Sequence, residues 1–202
     1  MITNRKEPLV RLQQELEMCE ACPLGKTRLH LVFARGSEEA DIMFVGEGPG
    51  EQEDLQGSPF VGRAGQLLDK IISAAELTPE DYYICNIVKC RPPGNRVPAP
   101  EEVEACMNNL RLQVAYVKPK IMVLLGASAA KAIIDPKLAI TKARGKWVKM
   151  GNLAVMPTFH PAALLRDPAK KIPVWEDFKE IKRVYDYMKD GTVFDEVPDT
   201  KC

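Results

Sequence analysis

Long apolar runs, a net charge and histidine are what this sequence lacks. The longest apolar run, Ile121 to Gly126, is strand-length, whereas a membrane-spanning helix needs roughly 18 residues. The first residues, MITNRKEPLVRLQQ, hold no apolar stretch of the kind that directs secretion, so a cytoplasmic location away from the membrane is the expectation. The 28 Lys+Arg balance 28 Asp+Glu, which argues against a protein coated in basic residues but is compatible with a local nucleic-acid site. Only His30 and His160 offer an imidazole. What is present is ordinary globular material. Hydrophobic content of 46% and charged content of 28% exclude disorder and fibrous structure, and residues 1–202 suit one domain with a real core.

The zero total hides an asymmetry. Residues 1–110 hold 11 Lys+Arg and 18 Asp+Glu, and residues 111–202 hold 17 and 10, so the halves carry −7 and +7. The segment Lys118 to Lys149 is the extreme, with Lys118, Lys120, Lys131, Lys137, Lys142, Arg144, Lys146 and Lys149 against Asp135 alone. Such polarity marks either a solvated lysine-rich surface or a face that steers a polyanion.

Hydrophobic spacing predicts helices over Glu7 to Met18, Arg63 to Leu77, Ala127 to Ile134 and Val174 to Met188, and one opening at Pro100-Glu101-Glu102. Short apolar runs at Asp41–Val45, Tyr82–Val88, Ile121–Leu125 and Leu153–Pro157 predict buried strands. Strands alternating with helices imply an α/β sheet, largely parallel and four-stranded, with helices on both faces. Sites in such sheets lie beyond the carboxyl ends of the strands, which here feed Gly46–Gly62, Asn86–Pro100 and Thr158–Arg166. The tail from Gly191 to Cys202 reads as frayed.

Six cysteines without a secretory leader point to thiols rather than disulfides. Cys19 and Cys22 form a C-x2-C pair, and Cys90 and Cys106 lie beyond a 67-residue gap. Two thiolates at that spacing grip one metal or cluster, and the distant pair can close the site. Zinc and an iron–sulfur cluster both accept four thiolates, and spacing does not choose between them. Cys85 falls inside a strand pattern and reads as a small core residue, and Cys202 as a free terminal thiol.

Gly46-Glu-Gly-Pro-Gly-Glu-Gln-Glu-Asp54 follows a strand directly, but no G-K-[ST] follows and the spacing is not G-x-G-x-x-G. Glu47, Glu51, Glu53 and Asp54 would repel a phosphate. Gly48 and Gly50 around Pro49 instead suggest backbone brought close to a compact or planar ligand. Thr158-Phe-His-Pro-Ala-Ala-Leu-Leu-Arg166 leaves the last strand, which makes His160 the candidate catalytic imidazole.

Together, GEGPGEQEDLQGSPFVGRAGQLLD, YICNIVKCRPPGNR and FHPAALLR, with cysteines at 19, 22, 90 and 106, resemble the family 4 uracil-DNA glycosylases over nearly the whole chain. The resemblance implies a three-layer α/β/α fold and a 4Fe-4S cluster on Cys19, Cys22, Cys90 and Cys106, so iron is favoured over zinc by the family and not by spacing. A related class that cross-links to DNA through a histidine in an Arg-rich loop is also similar, but Cys90-Arg-Pro-Pro-Gly-Asn-Arg96 holds no such histidine.

The reaction implied is hydrolysis of the N-glycosidic bond of uracil in single- or double-stranded DNA by a monomer, leaving an abasic site. A stacked base must first be flipped into a pocket. By the family's motifs, Phe60 would stack on the uracil, and backbone around Glu47, Gly48 and Pro49 would meet the base edge. Asn86 would read it, accepting from N3–H and donating to O4. His160 would donate to O2 as negative charge develops there. Relatives carry an aspartate where this chain has Gly48, so Glu47 or Glu53 is the candidate to orient water or stabilise the sugar cation. Leu164 resembles the apolar wedge that fills the gap left by a flipped nucleotide, and Arg166, Arg91 and Arg96 are candidate phosphate contacts. The alternative reading is a non-catalytic nucleic-acid-binding module stapled by a metal or iron–sulfur site.

Overall fold

Runs of buried apolar residues build the centre of the molecule in the computed structural model, which describes residues 5–198. Helix α1 (Lys6–Glu17) and the short α2 (Leu24–Thr27) precede strands β1 (Arg35–Gly36) and β2 (Ile42–Gly46). Helices α3 (Glu51–Gln56) and α4 (Arg63–Ala74) lead to β3 (Tyr82–Asn86), and α5 (Pro100–Val117) leads to β4 (Ile121–Leu125). Then come α6 (Ala127–Ile133), α7 (Ile140–Ala143), β5 (Val148–Met150), β6 (Leu153–Thr158), α8 (Pro161–Arg166) and α9 (Lys171–Lys189).

The strands form one sheet in the order β1-β3-β2-β4-β6-β5. Its inner four strands are parallel, at the places the apolar runs predict. The sheet has six strands rather than four because β1 and β5 pair antiparallel at its two edges. Those two are two and three residues long and partly exposed, too short and too polar to give a periodic signal.

Alternation along each strand sorts side chains to two faces. Ile42, Phe44, Ile84, Val123 and Met156 pack with Leu68 and Ile72 of α4 and with Phe178, Ile181 and Val184 of α9. Met43, Val45, Cys85, Met122 and Val155 pack on the other face with Leu9, Leu12 and Leu16 of α1, Leu110 of α5 and Ala129 and Ala130 of α6. The layers are therefore helix, sheet, helix, and Cys85 is the core residue its strand position predicts. The chain steps from β2 outward to β3 and then back across to β4, so the carboxyl ends of β2 and β4 flank the switch point where such sheets place their sites.

The tail does not fray from Gly191: Phe194 and Val197 are buried, and the Phe194 ring meets Trp147 edge-on at 5.3 Å. Two apolar residues docking on the core outweigh the polar sequence around them. Cys202 lies outside the described residues.

Candidate active site and cysteine pocket

β2 and β3 end in register, with Gly46 opposite Asn86. A Cβ at Gly46 would stand 2.4 Å from the Asn86 Oδ1 and 2.6 Å from the Phe60 ring, so only glycine admits both side chains. Asn86 is 2% exposed, and its Oδ1 is buried without a hydrogen-bond partner among the described residues. Leaving a buried acceptor unmet costs about 1–3 kcal/mol, which marks the atom for a donor from outside the protein. Phe60 is buried with φ at 55°, a left-handed conformation that a bulky residue rarely adopts. Its ring faces that of His160 with centroids 5.6 Å apart. Gly48 brings the loop against β3's continuation, where a Cβ would stand 2.7 Å from Val88.

His160 is the N-cap of α8, and its Nδ1 accepts from the Ala162 N–H at 3.1 Å. That bond assigns the proton of the neutral ring to Nε2. Burial pushes the imidazole down to about 4, Arg166 pushes in the same direction, and Glu53 opposes them. At neutral pH His160 is an uncharged donor.

The two candidate acids differ. Both oxygens of Glu53 are engaged: Oε1 accepts from the Val61 and Gly62 N–H groups at 3.0 and 2.8 Å, and Oε2 from Gly50 N–H at 3.1 Å. Glu53 is the N3 residue of α3, and its carboxylate reaches back to the N–H of the N-cap Gly50, the glutamate half of a capping box. It clamps the loop that carries Phe60. Among the described residues Glu47 takes a hydrogen bond from the Ser128 hydroxyl, on one oxygen.

The structure does not present Leu164 as a wedge. The residue is 1% exposed and belongs to the core, while Leu165 beside it is 43% exposed. Residues 161–166 form a helix, so neighbours point about 100° apart and the inward leucine is fixed by packing. Of the arginines, Arg96 makes a bidentate pair with Glu102 at 2.7 and 2.8 Å. Arg91 bonds Asn95 at 2.7 Å and lies 3.8 Å from Glu51. Arg166 is exposed at the end of α8.

The lysine-rich segment is not one face, because it threads the sheet from end to end. Lys118 and Lys120 precede β4 at the edge opposite the pocket, and Lys120 pairs with Asp41. Gly145 N–H bonds Pro157 O, which places Lys142, Arg144 and Lys146 near the carboxyl end of β6. Arg144 is tied to Asp177, which also accepts from Thr158 Oγ1 at 2.5 Å. Arg144 and Lys170 lie 5.8 and 5.7 Å from the Phe159 ring centre. This Arg144–Asp177–Thr158 brace behind His160 was not visible in the sequence, which marks no pairing between α9 and a loop.

Cys19, Cys22, Cys90 and Cys106 line a single pocket between the end of α1, α2, the loop after β3 and α5. Arg28 Nη1 donates to Cys90 Sγ at 3.1 Å, while Nη2 caps α1 at Leu16 and Glu17. Asn109 Nδ2 lies 3.7 Å from Cys106 Sγ. Burial pushes the Cys90 thiol up to about 11, against the pull of Arg28. Among the described residues no group of three His, Cys, Asp or Glu closes on a point that would hold a single ion. Lys89, 1% exposed, also lines this pocket. Sequence reasoning missed Arg28, Asn109 and Lys89, since nothing in the pattern distinguishes a buried basic residue from a solvated one.

Comparison with known proteins bears on this arrangement. The model of the Uracil DNA glycosylase superfamily matches residues 33–185. The type-4 uracil-DNA glycosylase of Thermotoga maritima is 44% identical over 183 residues, covering 89% of this chain and 95% of its own length. The chain belongs to the type-4 uracil-DNA glycosylases. The type-4 enzyme of Archaeoglobus fulgidus is 40% identical over 94% of this chain and 98% of its own. A type-5 uracil-DNA glycosylase of Pyrobaculum aerophilum is 32% identical over 64% of this chain. The residue segments through which the sequence resembles uracil-DNA glycosylases are the three that converge beyond β2, β3 and β6.

Proposed function

We propose that the chain is a DNA-repair glycosylase that hydrolyses the bond between uracil and deoxyribose, releasing free uracil and leaving an abasic site. The observation that carries this reading is the unmet Asn86 Oδ1, buried beside Gly46 and Phe60. It suits the N3–H of uracil, and cytosine, whose N3 is an acceptor, would leave it unpaired. Phe60 stacks on the flipped base. As the C–N bond breaks, the uracil leaves with the electron pair and charge gathers on O2, where the Nε2–H of neutral His160 donates. Water adds to the sugar carbon on the other side. Glu47, whose second carboxylate oxygen carries no hydrogen bond from the described residues, faces the developing sugar cation or the water, and Glu53 holds the loop. Leu165, not Leu164, is the exposed leucine available to fill the gap in the stack.

The four cysteines suit a 4Fe-4S cluster. They surround one pocket, and N–H groups of Arg28 and Asn109 point at two of the sulfurs. When bound, the cluster supplies a structural cross-link that pins α1 and the Cys90 loop, and the hydrolysis needs no electron transfer. Oligonucleotides carrying U, T, C or hypoxanthine at one site test the activity: excision of uracil, with T and C left intact, supports it. Absence of abasic product at enzyme excess overturns it. Absorbance near roughly 400 nm with iron bound supports the cluster, and a colourless protein holding one zinc overturns it.

A further inference from the structure

Lys89 is buried between two sites that the reaction scheme treats separately. Its Nζ donates to the main-chain carbonyl of Asn86 at 2.5 Å and to the Cys85 sulfur, and the residue is among those that line the pocket of the four cysteines. Among the described residues its hydrogen-bond acceptors are a neutral carbonyl and the Cys85 sulfur, and neither is a carboxylate. A buried cation without a carboxylate is costly unless other negative charge surrounds it. Bound to a cluster, Cys19, Cys22, Cys90 and Cys106 would be thiolates and would supply that charge.

We propose that Lys89 is a positioning residue that couples the cysteine pocket to base recognition. Its ammonium answers the negative charge of the thiolate-bound cluster, and its N–H holds the Asn86 main chain so that the amide meets the base in one orientation. The inference rests on the glycosylase reading above. It predicts that disturbing Lys89 weakens uracil binding through Asn86 while the fold persists.

The test uses iron-loaded protein and measures the dissociation constant of free uracil, with iron content and helical circular dichroism alongside. Lys89→Met removes the charge and the donor at similar volume, and is expected to weaken uracil binding by about tenfold or more, through loss of the bond to the buried Asn86 carbonyl. Lys89→Gln keeps a donor toward Asn86 and is expected to recover part of that loss. In an Asn86→Ala background, Lys89→Met is expected to change uracil affinity no further, whereas a purely structural role would still lower it. Wild-type affinity in Lys89→Met, or additivity with Asn86→Ala, overturns the proposal. So does failure of both variants to fold with iron, which would make Lys89 a packing element. A wild-type protein that excises no uracil overturns the glycosylase reading, and the Lys89 proposal falls with it. Wild-type excision beside an unaffected Lys89→Met overturns the Lys89 proposal alone.

Discussion

Gly46 and Asn86 face each other at the ends of paired parallel strands, and a Cβ on Gly46 would come within 2.4 Å of the Asn86 Oδ1. The pocket floor thus depends on a missing side chain. Gly46→Ala would displace the Asn86 amide, the Phe60 ring or both, at an overpacking cost of about 1–3 kcal/mol. The expected outcome is a fall of roughly tenfold or more in single-turnover uracil excision, with circular dichroism unchanged. Wild-type excision by this variant would show that the two side chains have room to spare.

Burial keeps the His160 ring neutral down to about pH 4, and protonation below that adds a proton at Nδ1, which ends the bond it accepts from Ala162 N–H and with it the aim of the Nε2–H donor. The single-turnover rate is expected to have no His160-dependent limb near pH 6.5 and to fall as pH drops through about 4. The folded value lies below the unfolded value of about 6.5, so the unfolded chain takes up the proton first. The associated stability is full above about pH 6.5 and declines as pH falls toward 4. His160→Gln should remove that decline from thermal melts taken between these values.

Glu53 accepts from three backbone N–H groups at Gly50, Val61 and Gly62. Glu53→Gln turns one acceptor into a donor facing N–H groups, and hydrogen bonds to a charged group contribute about 1.5–3 kcal/mol. A lowered melting temperature together with weaker uracil binding is the expected result. An unchanged melting temperature with only a slower chemical step would return Glu53 to the catalytic role that its acidity suggests.

Arg96 and Arg166 should separate in DNA binding. Arg166 is exposed beside the pocket, whereas Arg96 is held by both oxygens of Glu102, itself the N3 residue of α5. Arg166→Ala is expected to weaken binding to oligonucleotides of any sequence and to reduce the salt slope by about one. Arg96→Ala should leave that slope intact and lower stability. Equal slopes for both variants and the wild type would remove Arg166 from the interface.

The inner strands were legible because Ile42–Val45, Tyr82–Cys85, Ile121–Leu125 and Leu153–Met156 are apolar runs buried on both faces. The residues now gathered at their carboxyl ends were legible through their motifs. What was hidden depends on partners distant in sequence. β1 and β5 exist only because a long strand offers them an edge. Leu164 and Leu165 are equivalent in composition until α8 forms and turns one inward. Glu53 read as a candidate to orient water, and its bonds to the Gly50, Val61 and Gly62 N–H groups depend on how the loop folds back on α3. Lys89 and Arg28 became visible only when the chain placed them beside the thiols.

Asn86 is where recognition and stability oppose each other most directly. Its buried Oδ1 has no partner among the described residues, so truncation should leave the folded protein as stable as before or more so, while the base loses its reader. The decisive measurement is single-turnover excision from a uracil-containing oligonucleotide by Asn86→Ala against wild type, with melting temperatures for both. A loss of roughly tenfold or more, from the about 1–3 kcal/mol of an unpaired buried group, with no drop in melting temperature, is the predicted result. Wild-type excision by Asn86→Ala would contradict it.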